Sequence, residues 1–316
     1  MLTGFIMASY SLVANDAIQT LGTFLSSNKE RPWWMLWLFA CSILTAVFIL
    51  GWLANNGDIS YGRLEQIPFP ERFTWIYLVP PIVLTILTQL GIPVSTTFLI
   101  LTVFAPQALN MMLIKSLLGY VMALVGAIVI YKFFTRGLES NFLETKDGEI
   151  PRYWIVLQWL STAFLWSQWL VQDMANIFAY LPRQLSLSWL LFSLVIMTAL
   201  HGIIFYTSGG EIQKIVTSKT NTQDIRSATI IDFIYGFILV FFIQLSTIPM
   251  STTWVFIGLL AGRELAITWN FEIRPLKETG KIILGDSLKA LIGLAVSVIL
   301  AFGLPLIEKS LGTSQF

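Results

Sequence analysis

Long apolar stretches alternate with short polar ones along the whole chain, and several approach the roughly 20 residues that a helix needs to cross a bilayer. This pattern predicts membrane helices over residues 1–25, 33–54, 73–90, 107–134, 153–180, 185–206, 230–245 and 282–306. The polar segments between them predict loops over residues 26–32, 55–72, 207–228 and 263–281. We therefore expect an all-α, polytopic membrane protein, since helices satisfy their own backbone hydrogen bonds within lipid.

Two of the apolar segments contain a proline that is expected to break a helix. The third segment runs into Pro93, and the apolar piece from there to Pro106 is about 14 residues long, which is too short to cross a bilayer. It is expected to be half of a broken helix or one arm of a re-entrant hairpin. A corresponding short piece is expected after Pro249, ending near Gly262.

Two motifs occur twice at nearly the same spacing. The motif Pro-x-Ser-Thr-Thr begins at Pro93 and again at Pro249, 156 residues later. A carboxylate flanked by carboxamides occurs at Asp16 and again at Asp173, 157 residues later. Two unrelated motifs repeated at one offset indicate an internal repeat, which in transporters usually produces two structurally related bundles.

The most polar stretch near the middle of the chain marks the boundary between the halves. We predict a first transmembrane repeat over residues 1–135, a polar linker over 136–152 and a second repeat over 153–316. An odd number of crossings per half inverts one repeat relative to the other, and we expect about five crossings in each. The expected fold is therefore two inverted-topology repeats whose broken helices or re-entrant hairpins meet at a central site.

The composition agrees with a membrane protein and limits the function classes. Hydrophobic residues make up 56% of the chain, charged residues 12%, and the mean hydropathy is +0.74, whereas about a quarter of a soluble domain is charged. A net charge of +1 indicates no nucleic-acid partner. Cys41 is the only cysteine, so an intrachain disulfide is impossible. The N-terminus lacks the basic region of a signal peptide and is expected to form the first helix, with the protein in the plasma (inner) membrane.

Each Pro-x-Ser-Thr-Thr run combines the end of one helix with the start of another. Proline breaks the incoming helix, and the hydroxyl that follows accepts hydrogen bonds from the first free N–H groups of the next one. Helix N-termini attract anions, and hydroxyls add further donors. A single Ser or Thr in a membrane helix usually bonds the backbone, but two matched runs favour a binding site. The candidate anion-binding residues are Ser95, Thr96, Thr97, Ser251, Thr252 and Thr253.

The two acidic motifs indicate a cation site. Each consists of an amide, a carboxylate and a second amide three residues on, so that the carboxylate and the second amide share a helix face. Such groups are costly in a bilayer unless they face a cavity or a partner, and their oxygens suit Na⁺ or another hard cation. The candidate cation-binding residues are Asn15, Asp16, Gln19, Gln172, Asp173 and Asn176, with Asp16 and Asp173 as metal ligands if the cation is Na⁺.

The four motifs contain no Lys or Arg. An oxyanion near Asp16 and Asp173 would be repelled by two carboxylates, with no fixed cation to offset them. A co-bound cation, or protonation of one Asp, would relieve this repulsion. The pattern therefore favours coupled transport of an anion with Na⁺ or H⁺, and no other cofactor is expected.

Several segments of the chain are similar to one known family. Segment 14–23 (Ala-Asn-Asp-Ala-Ile-Gln-Thr-Leu-Gly-Thr) is similar to the signature Gly-Ala-Asn-Asp-Val-Ala-Asn-Ala-Phe-Gly-Thr, and the runs at Pro93 and Pro249 are similar to a paired Pro-Val-Ser-Thr-Thr-His. Segments 209–212 (Gly-Gly-Glu-Ile) and 256–262 (Phe-Ile-Gly-Leu-Leu-Ala-Gly) fit as well. The sequence resembles the inorganic phosphate transporter family, the sodium- or proton-coupled phosphate permeases, as a divergent member.

This resemblance implies inverted repeats, with phosphate and cations bound at a pseudo-symmetric centre. The acidic motifs would serve the cations and the Ser-Thr-Thr runs the anion. Three departures from the family pattern concern the substrate: Phe98 and Trp254 replace the His after each run, Gln172 begins the second acidic motif, and Gln19 replaces an Asn of the first. They leave open a sulfate-carrying branch or a different ion stoichiometry.

The leading hypothesis is a secondary active transporter, not an enzyme, that moves inorganic phosphate or a similar oxyanion with Na⁺ or H⁺. The transport alternatives are a sulfate or other oxyanion permease and a cation exchanger that uses the acidic motifs. An intramembrane aspartyl protease would also use two aspartates, but its Tyr-Asp and Gly-x-Gly-Asp signatures are missing. Without a nucleotide-binding motif, ATP-driven transport is not expected, and a transport-dead receptor is less favoured because Asp16 and Asp173 are retained.

For the other polar residues in apolar sequence, the pattern gives weaker evidence of a functional role. His201, the only histidine, is expected to be a satisfied structural group. Four charged residues in or beside spans could pair with one another, extend to the interface or line a pathway: Lys115, Asp232, Asp286 and Lys289. Membrane lipid is an expected partner, and a homodimer is compatible with the sequence.

Overall fold

The structure, a computed structural model, describes residues 1–134, 150–218, 224–272 and 274–310, so that residues 136–149 of the expected linker lie outside the described ranges. The α-helices in chain order are α1 (Leu2–Leu12), α2 (Ile18–Ser27), α3 (Trp33–Ala54), α4 (Val79–Gln89), α5 (Thr102–Phe104), α6 (Leu109–Val129), α7 (Tyr153–Asp173), α8 (Ala175–Phe178), α9 (Leu187–Tyr206), α10 (Gln213–Thr217), α11 (Ile225–Leu245), α12 (Thr252–Phe271) and α13 (Leu276–Ser310). Within these ranges the chain is helical or irregular, without a β-strand, which confirms the all-α prediction.

Five helices in the described ranges are long and apolar enough to cross a membrane, so the protein is an integral, multi-pass membrane protein. They are Trp33–Ala54, Pro106–Phe133, Leu187–Tyr206, Ile225–Leu245 and Leu276–Ser310. Large apolar side chains on these helices, such as Leu53, Val195 and Ile299, are exposed, as expected for contact with lipid tails. Other apolar segments of the described ranges are interrupted, short or rich in buried polar groups, and the expected five crossings per half stay a prediction.

The first predicted helix contains an unusual turn at its polar motif. A π-helical turn, Val13–Ala17, joins α1 to α2 without a loop, and Asn15 and Asp16 lie within it. Single π-helical turns inside α-helices occur frequently at functional sites because they change the direction of side chains locally. The predicted interruption of this helix is therefore present as a widened turn rather than as a break.

The first Pro-x-Ser-Thr-Thr run lies at the tip of a helical hairpin. A 3-10 turn, Trp75–Leu78, leads into α4, and the chain reverses at Gly91, whose φ of +66° is a conformation that glycine adopts at little cost. The return arm is a π-helical turn, Thr97–Leu101, followed by α5. The rings of Tyr77 and Phe104, at the open end of the hairpin, are 4.8 Å apart. The expectation of a full span over residues 73–90 is wrong, since both arms are short.

The second run begins a much longer helix than expected. The expectation that the piece after it ends near Gly262, with a loop from Arg263, is wrong because α12 continues through both residues. The Arg263 side chain is fully buried, 3.7 Å from Glu264 and above the ring of Tyr131, and Arg274 lies 3.5 Å from the same Glu264. Opposite charges held together in this way let a charged stretch remain helical inside the protein.

The next two differences concern where helices begin. The expected loop 207–228 contains α10, and α11 begins at Ile225, because the Asp224 carboxylate accepts hydrogen bonds from the first N–H groups of that helix. The last helix, α13, begins at Leu276 rather than at 282 and packs against the first hairpin. Leu304 of α13 contacts Ile76 and Val103, one from each arm of the hairpin.

The helices pack as pairs that surround the central motifs. α6 packs along α12, α7 along α11, and α3 along α9. Trp37 near the start of α3 donates to the Thr198 carbonyl at 2.9 Å, and Trp52 near its end donates to the Leu185 carbonyl at 2.7 Å, so α3 and α9 are antiparallel. One large apolar core includes residues from both halves, which places the motifs of the two halves side by side.

Candidate functional site

The two Ser-Thr-Thr runs have the same local structure. The Ser95 hydroxyl accepts a hydrogen bond from the backbone N–H of Phe98 at 3.2 Å, and the Ser251 hydroxyl accepts one from the N–H of Trp254 at 3.3 Å. Each serine therefore caps a helix start, as its sequence position predicts. All six hydroxyl-bearing residues of the two runs are buried.

The two runs also contact each other reciprocally. The Thr97 hydroxyl donates to the carbonyl of Met250 at 3.1 Å, and the Thr253 hydroxyl donates to the carbonyl of Val94 at 3.3 Å. Thr253 corresponds to Thr97, and Met250 to Val94, at the offset of 156 residues. The third residue of each run thus binds the segment before the serine in the other, so the two helix starts meet at one place.

Asp16 connects the first acidic motif to the second run. One of its carboxylate oxygens accepts hydrogen bonds from the Asn15 amide at 2.8 Å and from the Thr253 hydroxyl at 3.1 Å, and the Gln19 amide lies at 3.4 Å. The Asn15 amide also donates to the carbonyl of Val94, beside the first run. The first acidic motif therefore contacts both Ser-Thr-Thr runs.

Asp173 has an equivalent position in the second half. It lies at the last residue of α7, and its carboxylate accepts hydrogen bonds from the Asn176 amide at 3.2 Å and from the Thr252 hydroxyl. Asp173 and Asp16 are both buried and lie within electrostatic reach of each other. All four motifs predicted from the sequence are therefore brought together at one buried centre.

Several oxygen atoms at this centre have no hydrogen-bond partner among the described residues. They are Gln19 Oε1, Thr96 Oγ1, Gln172 Oε1 and Asn176 Oδ1. Buried polar atoms are nearly always satisfied, so each such group indicates a ligand, an ion or a water molecule. These four atoms are neutral oxygens close to two carboxylates, and oxygen ligands of this kind suit a hard cation such as Na⁺.

Two elements that the sequence motifs do not include hold the second run in place. From α6, the Lys115 ammonium donates to the carbonyls of Ser246 (2.9 Å) and Ile248, and the Ser116 hydroxyl accepts from the Ser251 N–H at 2.8 Å. From α11, the buried Tyr235 hydroxyl donates to the Thr252 carbonyl at 3.0 Å. No periodicity or spacing points to Tyr235, because it contacts the site only through tertiary packing.

A fixed cation lies within electrostatic reach of the centre, which corrects the electrostatic argument made from the motifs. Arg63, in the segment between α3 and α4, is 3% exposed and lies within electrostatic reach of Asp173. Burial lowers the pKa of its guanidinium to about 10, so the group remains protonated at neutral pH. The expectation that an oxyanion would meet no fixed cation near Asp173 is therefore wrong, because the fold brings Arg63 there from outside the motifs.

The two residues that replace the family histidines are partners of each other. The rings of Phe98 and Trp254 are 6.1 Å apart and lie edge to face at 88°. Both are buried, and their sequence positions correspond at the offset of 156 residues. An aromatic pair thus occupies the positions at which the resemblance predicts two imidazoles, and it adds apolar contact between the two helix starts.

The other polar residues singled out in the sequence lie outside this centre. Asp232 on α11 accepts from the hydroxyls of Thr23 and Thr162, each at 2.5 Å. His201 Nδ1 lies 2.7 Å from the carbonyl of Met197 on its own helix. On α13, Lys289 is exposed and Asp286 is half-buried.

Comparison with known proteins shows a distant likeness in fold. No protein-family model and no curated protein sequence matches the chain. A similar solved structure is described as "The sodium-dependent phosphate transporter". The two structures align with a TM-score of 0.58 over 97% of this chain and 98% of the other, at 16% sequence identity. The chain therefore has a membrane fold like that of this phosphate transporter.

Proposed function

We propose that the protein is a secondary active transporter that moves inorganic phosphate across a membrane together with Na⁺ or H⁺. The observation that carries this proposal is the meeting of two capped helix starts and two carboxylates at one buried centre. The fold of a distant structural neighbour, a sodium-dependent phosphate transporter, supports it. The expected plasma (inner) membrane location belongs to the same proposal.

The anion part of the centre consists of the hydroxyls and backbone N–H groups at the two helix starts. Both are donors, and the positive ends of two helix dipoles favour a negative ligand between them. Phosphate at neutral pH still carries a proton on one oxygen, and Asp16 or Asp173 would accept a hydrogen bond from it. Sulfate has no such proton, so the nearby carboxylates favour phosphate over sulfate.

The cation part consists of Asp16 and Asp173 with the four unpartnered oxygens of Gln19, Thr96, Gln172 and Asn176. A bound Na⁺ would be coordinated by these oxygens, and a proton would instead neutralise one carboxylate. In either case the positive charge reduces the repulsion between two carboxylates and an oxyanion. Binding of each ion then favours binding of the other, which is the requirement for coupled transport.

Uptake of labelled phosphate into proteoliposomes tests the proposal. We expect concentrative uptake under an inward Na⁺ gradient or an inward proton gradient, and the effective gradient identifies the coupling ion. Asp16→Asn and Asp173→Asn should each abolish gradient-driven uptake, because an amide carries no charge to couple. Glu211→Gln, which removes a carboxylate from an exposed loop, should transport as the wild type does.

The same vesicles separate the alternatives. Gradient-driven uptake of sulfate without phosphate would identify a sulfate permease with the same fold. Sodium flux that is independent of any oxyanion would identify a cation exchanger. Either result would contradict the phosphate assignment, and so would the absence of phosphate uptake under every gradient.

A further inference from the structure

Arg63 is a buried cation, and two of its guanidinium nitrogens have no hydrogen-bond partner among the described residues. Its side chain is 3% exposed, and its Nε and Nη1 atoms contact no acceptor among the described residues. A buried charged group without partners is strongly destabilising. The other partly buried arginine of this region, Arg183, donates to the carbonyls of Phe178, Ala179 and Ile67. Arg63 therefore differs from its neighbour in having donors that no group in the described part of the chain accepts from.

The segment that carries Arg63 is held in a defined conformation. The Asp58 carboxylate accepts from the N–H groups of Ser60 and Gly62, at 2.7 and 2.8 Å, and the Tyr61 hydroxyl donates to the carbonyl of Val47 on α3. Tyr61 and Gly62 both have positive φ, at +54° and +75°, which reverses the chain just before Arg63. The bonded turn thus determines that the Arg63 side chain points into the protein.

Two charged groups that interact electrostatically with Arg63 both contact the second Ser-Thr-Thr run. Arg63 lies within electrostatic reach of both Asp173 and Lys115. Asp173 accepts from the Thr252 hydroxyl, and Lys115 donates to carbonyls just before Pro249, so both neighbours contact this run. On its other side the turn borders an open cavity of about 650 Å³ lined in part by Tyr61, Gly62, Leu64 and Thr247.

We propose that Arg63 is the fixed cationic ligand of the transported oxyanion, binding it beside the second Ser-Thr-Thr run. The inference rests on the proposed function and adds a residue that none of the four motifs contains. A guanidinium presents parallel N–H groups that match two oxygens of a tetrahedral oxyanion, and such charge-assisted pairs are stronger than neutral hydrogen bonds.

An ion pair with Asp173 does not explain why the Arg63 guanidinium is buried. Among the described residues no carboxylate oxygen lies within 4.0 Å of its guanidinium, and the carboxylate of Asp173 is already bonded to Thr252 and Asn176. The carboxylate and the guanidinium interact electrostatically without a hydrogen bond between them among the described residues, so the Nε and Nη1 donors of Arg63 stay available to a ligand. An oxyanion accepts from Arg63, while its own proton, or a co-bound cation, faces Asp173.

Equilibrium binding of labelled inorganic phosphate to the purified full-length chain tests this inference. Arg63→Gln should weaken phosphate binding by about tenfold or more, since it removes a charge-assisted pair. Arg63→Lys keeps the positive charge but lacks the parallel N–H groups of the guanidinium, so it should give an intermediate affinity. Arg152→Gln removes one positive charge at an exposed position and should bind phosphate as tightly as the wild type does. Thermal unfolding without phosphate identifies any variant that has lost its fold.

The outcomes distinguish this inference from the function on which it rests. If folded Arg63→Gln binds phosphate as the wild type does, the role of Arg63 is contradicted while the transport proposal stands. If Arg63→Gln changes only the Na⁺ or H⁺ dependence, Arg63 serves Asp173 instead of the anion, and the inference is likewise overturned. If the wild type binds neither phosphate nor sulfate, the proposed function and the inference fail together. A second readout is the rise in unfolding temperature that phosphate produces, which should be smaller in Arg63→Lys than in the wild type.

Discussion

At the residue scale, the hydroxyl groups of the centre have three different hydrogen-bonding roles. Ser95 and Ser251 cap helices, Thr252 and Thr253 donate to the two carboxylates, and Thr97 donates to a backbone carbonyl. The two serines therefore share one role, whereas Thr97 and Thr253, at equivalent positions, differ because only Thr253 also donates to a carboxylate. Differences between matched variants can reveal which hydroxyl supports the cation and which supports only the backbone.

Thr253→Val should impair transport more than Thr97→Val does. Valine has the same shape as threonine and lacks the hydroxyl, so Thr253→Val removes the donor to Asp16 as well as the one to Val94. Thr97→Val removes only the bond to the carbonyl of Met250. We expect the cation concentration for half-maximal phosphate uptake to rise about tenfold in Thr253→Val, in line with a lost bond to a charged group, and less in Thr97→Val. Thr253→Ser keeps the donor and is the control, and equal effects of the two valine variants would contradict the assignment.

The candidate ligand-binding residues of this centre can be predicted from the sequence where they lie in repeated motifs. A repeated phrase identifies Asp16 and Asp173 as a related pair, and the fold places them together. Arg63 and Tyr235 could not be predicted, because a single Arg in a loop or a single Tyr in an apolar helix carries no spacing signal. Their contribution arises from tertiary contacts between segments far apart in the chain.

At the element scale, the second Ser-Thr-Thr run is positioned by close packing of α12 on α6. A Cβ at Gly258 would overlap the carbonyl oxygen of Tyr120, and one at Gly262 would overlap that of Leu124. Such close approach of two helices requires small residues, as is common in membrane proteins. Since α6 also supplies Lys115 and Ser116 to the run, this packing determines where the second helix start lies.

Gly258→Ala should destabilise the protein, whereas Gly126→Ala should not. The added methyl at Gly258 meets backbone that cannot move aside, and overpacking typically costs about 1–3 kcal/mol. A Cβ at Gly126, on α6 itself, has no neighbour within 4 Å, and alanine favours the helix by about 1 kcal/mol. Thermal unfolding of the two purified variants in detergent measures the difference. The close packing would be disproved if Gly258→Ala unfolded at the same temperature as Gly126→Ala, or above it.

The boundaries of elements are predictable where composition and packing agree. α3 follows the predicted span over residues 33–54, because uninterrupted apolar sequence suits a helix that faces lipid. The predicted end of α12 near Gly262 is wrong because Arg263 and Glu264 form a buried pair, which sequence alone presents as two charges. Local polarity therefore identifies a loop only when the charges have no partner within the fold.

At the scale of the whole molecule, the predicted inverted repeats require corresponding helices to run in opposite directions, and α3 and α9 do so. These helices correspond approximately at the offset of 156 residues, and they lie antiparallel. The connection after α3 and the connection after α9 also correspond, and they lie at opposite ends of this helix pair. Halves related in this way would expose equivalent loops on opposite sides of the membrane.

Labelling from one side of the membrane tests the inverted arrangement. Cys41 is buried and is the only native cysteine, so Cys41→Ala provides a cysteine-free background. Glu65→Cys and Lys214→Cys then place single thiols in the two corresponding connections, both at exposed positions. A membrane-impermeant maleimide should label one variant from outside sealed vesicles and the other only after the membrane is opened. Labelling of both from the same side would contradict inversion.

The most direct test of the central claim is whether phosphate and cation bind to one centre. Titration calorimetry of the purified protein with phosphate, at a series of Na⁺ concentrations and of pH values, measures the coupling. We expect the Kd for phosphate to fall by about 5- to 150-fold as the coupling cation is raised, with an equal effect of phosphate on the affinity for that cation. Asp16→Asn and Asp173→Asn should remove this dependence. A phosphate Kd that is the same at every Na⁺ concentration and every pH would contradict a shared centre.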